Sequence, residues 1–293
     1  MPSSISRRGA LIGAAAVFAV RRARAQSPGE LNSLTARLAA LEEQAGGRLG
    51  MAVLDTGNGK RVAYRGDERF PMCSTFKVLL AAAILARVDL GEERLDRRLS
   101  FGRSDLLDYA PVTREHLDEG SMTLDALCAA AIGMSDNTAA NLLLQVIGGP
   151  PGLTAFLRAQ GDETTRLDRN EPELNDSVPG DERDTTTPAA MLASMDRIVV
   201  GEALTPASRD RLQRWMIDCK TGAQRLPASI PNGARIGHKT GSGERGTSND
   251  IAVVWPAGRK PVLITTYLTG SPATPGARDA VIAQCGQIAF ASL

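Results

Sequence analysis

Strand-like segments in this chain lie only near its two ends, and the long middle between them reads as helix. Residues 48–55 and 60–65 have the composition of strands and flank Thr56-Gly57-Asn58-Gly59, a hairpin signature. Three more strand-like runs come late, at residues 234–240, 249–255 and 261–269, with Gly258-Arg259-Lys260 between the last two. A helical period opens the chain over residues 31–44, and another closes it over 279–293. Residues 67–217 are rich in Ala and Leu and read as helices with loops. Early strands can join late ones only if the middle folds as an insertion. The expected class is therefore α+β: a discontinuous α/β domain from residues 26–66 and 218–293, holding an inserted all-helical domain of residues 67–217.

At the junction of the two parts stands Phe70-Pro71-Met72-Cys73-Ser74-Thr75-Phe76-Lys77, followed by Val78-Leu79-Leu80-Ala81-Ala82-Ala83. Pro71 is a helix-entry signal, and the residues from Ser74 onward are strong helix formers with an apolar face. Ser74 and Lys77 are three apart, so a helix puts them on one face. A serine hydroxyl becomes a nucleophile when a base takes its proton. A buried lysine loses its charge readily enough to be that base, and arginine does not. The chain has only five lysines, at 60, 77, 220, 239 and 260, against 29 arginines, so lysine at 77 stands out.

Two further stretches follow in order: Met134-Ser135-Asp136-Asn137 and His238-Lys239-Thr240-Gly241-Ser242-Gly243. Ser-x-x-Lys, Ser-Asp-Asn and Lys-Thr-Gly together mark class A β-lactamases and penicillin-binding proteins. From about residue 28 to its end the chain resembles a class A serine β-lactamase. The resemblance implies an antiparallel sheet with flanking helices, a helical lobe, and a site in the cleft between them. It implies that Ser74 is the acylated nucleophile, Lys77 its partner, and Ser135 the hydroxyl that relays a proton to the lactam nitrogen. Asn137 would hold the substrate's acylamide oxygen and orient Lys77, and Lys239 would supply positive potential. The backbone N–H groups of Ser74 and Ser242 would form an oxyanion hole, whose donors are worth about 3–4 kcal/mol each.

The segment Arg169-Asn170-Glu171-Pro172-Glu173-Leu174-Asn175 separates the hydrolases from the peptidases. The resemblance makes Glu171 the base for deacylation and Asn175 a holder of its water; a held carboxylate can activate water at neutral pH. Arg169 and Asp184 match an ion pair that closes this loop, and Glu171-Pro172 matches a cis peptide bond, which proline permits cheaply. Tyr109 matches an aromatic gate. Arg225 matches an arginine that some members use for the substrate carboxylate, with the Thr240 and Ser242 hydroxyls completing that subsite; a guanidinium suits bidentate binding of a carboxylate. Other members place that arginine where Ser248 stands. Cys73, Ser242 and Gly243 together resemble members that hydrolyse penicillins and cephalosporins. Two rival classes share the first three motifs: a penicillin-binding peptidase, which lacks the Glu171-type base, and a membrane-anchored β-lactam sensor.

Residues 1–25 carry five arginines and no acid. Arg7-Arg8 precedes an apolar run, residues 9–20, too short to span a bilayer, and Ala23-Arg24-Ala25 offers a cleavage site before Gln26. A twin-arginine signal is expected, and an ordinary secretory signal leads to the same periplasmic or secreted location. Without residues 1–25 the chain holds 29 basic and 33 acidic side chains, a net charge of −4, which argues against a nucleic-acid partner. No membrane anchor is expected in the mature form, which is expected to act as a monomer on small β-lactams. Only two histidines, His116 and His238, are present, and no cysteine has metal-ligand spacing, so neither metal nor cofactor is expected. His238 should face away from the Lys239 side of its strand. Four cysteines, at 73, 128, 219 and 285, allow three disulfide connectivities. The resemblance favours four free thiols, since glycine at 243 and alanine at 81 stand where some members carry the partner cysteines.

Overall fold

The computed structural model describes residues 28–293; the signal-like residues 1–25 lie outside them. In chain order, α1 (Pro28–Ala45) leads into the hairpin β1 (Arg48–Asp55) and β2 (Arg61–Tyr64). A short strand, β3 (Phe70–Pro71), then enters a 3₁₀ turn at Cys73–Thr75 and α2 (Phe76–Asp89). The middle continues as β4 (Arg98–Ser100), β5 (Ser121–Thr123), α3 (Leu124–Gly133), α4 (Asn137–Val146) and α5 (Gly149–Ala159). A long loop ends at β6 (Thr185–Thr186) and is followed by α6 (Pro188–Met195) and α7 (Pro206–Ile217). The chain closes with β7 (Arg235–Gly243), β8 (Thr247–Trp255), β9 (Val262–Thr269) and α8 (Pro275–Ala291).

Five strands make one sheet in the order β2-β1-β9-β8-β7, each pair antiparallel. Early and late segments thus meet at the β1–β9 ladder, where Met51 pairs with Thr266 and Val53 with Ile264. Alternation along a strand sends successive side chains to opposite faces. Leu49, Met51 and Val53 of β1 and Ala252 and Val254 of β8 pack with α1 and α8. Their neighbours Ala52, Leu54, Ile251 and Val253 join the helical core around α2. The sheet is therefore buried on both faces, which explains its near-continuous apolar runs.

α2 is the axis of the helical core. Phe76 through Leu85 are all buried, so the helix has no wet face over that span, rather than the single apolar face its sequence suggested. Ala81, Ala82 and Ala83 supply small side chains where α2 is surrounded. At the closing helix, the Thr274 hydroxyl accepts from Ala277 N at 3.3 Å and caps α8, which starts at Pro275 instead of residue 279. β7 extends through Gly243, beyond the expected end at 240, because Gly241, Ser242 and Gly243 pair with Asn249, Ser248 and Thr247. The short ladders β3–β6 and β4–β5 have two or three residues per strand, too few to show a period in sequence. Among the described residues no single helix is long and apolar enough to cross a membrane.

Candidate active site

The segment that carries Ser74 is pinned from two sides. Asn249 of β8 donates to Pro71 O and Met72 O at 2.9 and 3.1 Å, and Met72 N donates to Asp184 O at 2.9 Å. Gly241 is required here: a Cβ at that position would lie 2.7 Å from Met72 O. Cys73 takes a positive φ of 44°, the left-handed region that non-glycine residues enter only at a cost, and Ser74 follows it into the 3₁₀ turn. α2 then continues from the turn and carries Lys77.

Asp136 builds the second wall. Its carboxylate caps α4 by accepting from Ala139 N at 2.8 Å, and it also accepts from Val112 N and Thr113 N, each at 2.9 Å. Asn137 N donates to Tyr109 O at 3.0 Å, so the same helix start holds the half-exposed Tyr109 at the rim. Ser135, just before the cap, also has positive φ, at 59°.

The loop after α5 is closed by a buried Asp184, which accepts from Asp168 N, Arg169 N and Arg169 Nε at 2.7, 2.9 and 2.6 Å. Glu171 precedes Pro172 across a cis bond. Its backbone is clamped at both ends by one side chain that sequence reasoning missed: Asn141 donates to Glu171 O at 2.8 Å and accepts from Glu171 N at 3.0 Å. The available signal was its place four residues after Asn137, on the same face of α4.

These walls enclose an open cleft of about 420 Å³, with Ser74, Tyr109, Ser135, Asn137, Asn175, Arg225, Thr240 and Ser242 in its lining. Thr221, Gly222 and Asp279 line it as well and were not anticipated. Lys77, Glu171 and Lys239 lie buried beneath. Every candidate catalytic and substrate-binding side chain named from the sequence thus gathers at one place.

Lys77 Nζ is 2.9 Å from Glu171 Oε1, 2.8 Å from Ser135 O and 2.7 Å from Asn137 Oδ1. Three acceptors match the three protons of an ammonium. Burial nonetheless pulls its pKa below the usual lysine value, against the charge and hydrogen bond of Glu171 that favour the ammonium. Ser74 Oγ reaches Glu171 Oε1 at 3.4 Å, and no Ser74–Lys77 hydrogen bond forms among the described residues. The expected partner of the serine is therefore held by the carboxylate, the stronger acceptor. Asn175 Nδ2 bonds the other Glu171 oxygen.

Lys239 Nζ donates to Ser135 Oγ at 2.9 Å and Thr240 O at 2.8 Å. Burial, and then the charge of Lys77, lower its pKa to about 7. Arg225 is buried, and its fork is nearly full. Nε donates to Asp279 at 2.7 Å, Nη1 to Gly241 O and Asn249 O at 2.9 and 2.8 Å, and Nη2 to Ser242 Oγ at 2.8 Å. One of five N–H groups remains, so it lacks the free pair that bidentate binding requires. Ser248, where other members carry that arginine, accepts from Arg278 Nε at 3.1 Å.

His238 faces away from Lys239 as expected; it is buried and paired with Asp250 at 3.0 Å. All four cysteines are free thiols, and a Cβ on Gly243 would come within 2.6 Å of Cys73 Sγ. Among the described residues no group of three His, Cys, Asp or Glu side chains is arranged to hold a metal ion.

Residues 33–293 match the beta-lactamase enzyme family. The chain is 51% identical over 252 residues to beta-lactamase L2 of Stenotrophomonas maltophilia, covering 86% of this chain and 83% of that one. It is 46% identical over 259 residues to beta-lactamase CTX-M-8 of Citrobacter amalonaticus, covering 88% and 89%. Its fold superposes on an ancestral (GNCA) class A beta-lactamase with a TM-score of 0.87 and 60% identity, over 89% of this chain and all of that one. With the motifs gathered in one cleft and this likeness over most of its length, the chain belongs to the class A β-lactamase family.

Proposed function

We propose that this enzyme hydrolyses β-lactam antibiotics, penicillins and cephalosporins, by acylating Ser74 and releasing the acyl group with water activated by Glu171, and so confers resistance. The observation that carries the route is the position of one buried carboxylate. Glu171 Oε1 contacts both Lys77 Nζ and Ser74 Oγ, while its other oxygen is held by Asn175. Ser74 Oγ attacks the lactam carbonyl and its proton passes to the Lys77–Glu171 pair. The backbone N–H groups of Ser74 and Ser242 receive the oxyanion. Ser135, whose Oγ accepts from Lys239, donates its own proton to the lactam nitrogen as the C–N bond breaks and is reprotonated from the Lys77–Glu171 pair, which leaves Glu171 a carboxylate again. Water then attacks the ester carbonyl and gives its proton to Glu171, and the C–O bond to Ser74 breaks as Ser74 Oγ takes that proton from Glu171. Asn175 Oδ1 is buried with no protein partner among the described residues, so it can accept from that water.

Asn137 binds the substrate's acylamide group and Tyr109 covers it. Lys239, Thr240 and Ser242 bind the substrate carboxylate. Arg225 acts mainly by orienting the Ser242 hydroxyl. We assign residues 26–66 and 218–293 to one domain and 67–217 to the other, with the cleft between them. Export uses the twin-arginine segment, giving a monomeric mature protein that begins near Gln26 in the periplasm or medium. The test is turnover of a chromogenic cephalosporin by the exported protein, with its N-terminus sequenced. Many turnovers per enzyme are expected, whereas a single stoichiometric burst would assign the chain to the penicillin-binding type of chemistry.

A further inference from the structure

The oxyanion hole takes its two backbone donors from separate elements, Ser74 from the 3₁₀ turn before α2 and Ser242 from β7. Nothing along the chain fixes their spacing, so bonds between the elements must. Asn249 supplies them. It is fully buried in β8, opposite Gly241 of β7. Its Nδ2 donates to Pro71 O at 2.9 Å and to Met72 O at 3.1 Å, and its backbone O accepts from Arg225 Nη1 at 2.8 Å. Arg225 in turn donates from Nη2 to Ser242 Oγ at 2.8 Å. One residue thus reaches both sides of the hole, and the hydrolytic route gives it no part.

We propose that Asn249 is a positioning residue for acyl transfer: its amide holds Cys73 at positive φ and thereby keeps the Ser74 N–H aimed at the oxyanion, in register with Ser242. The proposal rests on the roles assigned above to Ser74 and Ser242. Asn249 touches neither substrate nor reacting atoms and acts through the backbone just before the nucleophile.

With φ at 44°, Cys73 relaxes toward negative φ unless the backbone on both flanks is held. Downstream, Phe76 N bonds Cys73 O and Ser74 O at the start of α2. Upstream, Asn249 grips the two carbonyls that precede Cys73. Thr75 N and Oγ1 also donate to Met72 O, at 3.3 and 2.8 Å, but those bonds lie within the turn and move with it. Met72 N bonds Asp184 O, which belongs to the loop that carries Glu171. From the five-stranded sheet, Tyr267 OH reaches Thr75 Oγ1 only at 3.4 Å, so the Asn249 bonds are the shorter tie. Gly241 makes room for them: a Cβ there would lie 2.7 Å from Met72 O and 3.2 Å from Asn249 Nδ2. The amide can point only one way. Flipped, its oxygen would face two carbonyl oxygens. As it stands, Asn249 Oδ1 is buried with no protein partner among the described residues, so an acceptor is left unmet to keep both donors on the segment.

The test compares wild type with Asn249→Ala. The acylation rate and kcat/KM for a chromogenic cephalosporin should both fall about 10- to 100-fold, the scale of a group misplaced by about 1 Å. Affinity for phenylboronic acid, whose tetrahedral adduct on Ser74 puts an oxygen in the hole, should weaken at least about fivefold. That affinity is read from active enzyme alone, so partial unfolding would not move it. Glycine enters positive φ about as readily as negative φ, so in a Cys73→Gly background Asn249→Ala should cost only about two- to threefold. If Asn249→Ala fails to fold, the isosteric Asn249→Asp decides. Its carboxyl donates one bond to the carbonyls when protonated and repels them when ionised, and burial raises its pKa. Its activity relative to wild type should therefore fall at least about fivefold as pH rises from about 5 to 9. Wild-type acylation and boronate affinity in Asn249→Ala, an undiminished loss in the Cys73→Gly background, or Asn249→Asp activity equal to wild type at every pH would each overturn the proposal. Failure of the hydrolytic reading would show instead in the wild type, as a single burst without turnover, and acylation and boronate affinity would still read out Asn249.

Discussion

The floor of the cleft and its β7 wall each hold a buried lysine, and the two are treated in opposite ways. On the floor, Lys77 meets a carboxylate at 2.9 Å, so the Lys77–Glu171 pair is close to neutral as a unit. On the wall, Lys239 meets only a hydroxyl and a carbonyl, and Arg225 beside it is already balanced by Asp279. Ser135 touches both, giving its carbonyl to Lys77 and its hydroxyl to Lys239. A balanced pair can pass a proton without building up charge. An unbalanced cation in a low-dielectric wall is completed by an anion. On the proposed route, the difference divides proton handling and anion binding between the two lysines, with Ser135 as the junction.

The sharpest way to break this division is Glu171→Gln. An amide cannot accept a proton from water, and general-base assistance is worth about 10²–10⁴-fold. Deacylation should fall by that factor, and the acyl-enzyme, protein plus one intact penicillin, should persist by mass spectrometry. Ser74→Ala should show no adduct. Truncating a buried pair usually costs about 3–5 kcal/mol, but Lys77 can lessen this by giving up its proton, as its lowered pKa favours. Wild-type turnover by Glu171→Gln with no adduct would remove the floor's assigned role.

The wall should respond to pH. With its pKa at about 7, Lys239 is charged below that pH and neutral above it. As pH rises through 7, kcat/KM for an anionic penicillin should therefore decline, because this parameter reports the free enzyme. Losing one charge-assisted contact corresponds to about 10- to 100-fold. Lys239→Arg keeps its charge throughout, so its profile should lack this limb. A limb that persists unchanged in that variant would assign it to another group.

The smallest effect is expected at Arg225. With one N–H free and its charge balanced by Asp279, Arg225→Ala should raise KM by about two- to tenfold and leave kcat nearly intact. A loss as large as that at Lys239 would mean that Arg225 grips the carboxylate directly.

Much of this was legible in sequence because the informative interactions are short-ranged. Turn residues marked the β1–β2 hairpin, strand composition marked all five strands of the sheet, and three ordered motifs placed Ser74, Lys77, Ser135, Asn137 and Lys239. The edges were less legible. Whether Gly241-Ser242-Gly243 is turn or strand depends on whether β8 lies alongside, and a helix start at Pro275 depends on one threonine cap. Asn141 went unnoticed because an asparagine on a helix declares nothing until the loop it clamps is folded against it.

By itself the sequence determined the order of strands and helices, the candidate reactive side chains, and the family the chain belongs to, since periodicity, caps and motifs are properties of neighbours along the chain. Only the tertiary structure decided who meets whom. It put Glu171 rather than Ser74 against Lys77, filled the Arg225 fork with backbone carbonyls and Asp279, and buried α2 on every side. Each of those contacts joins separate elements of the fold, and hydrogen bonding and burial there are set by packing, which no local pattern encodes.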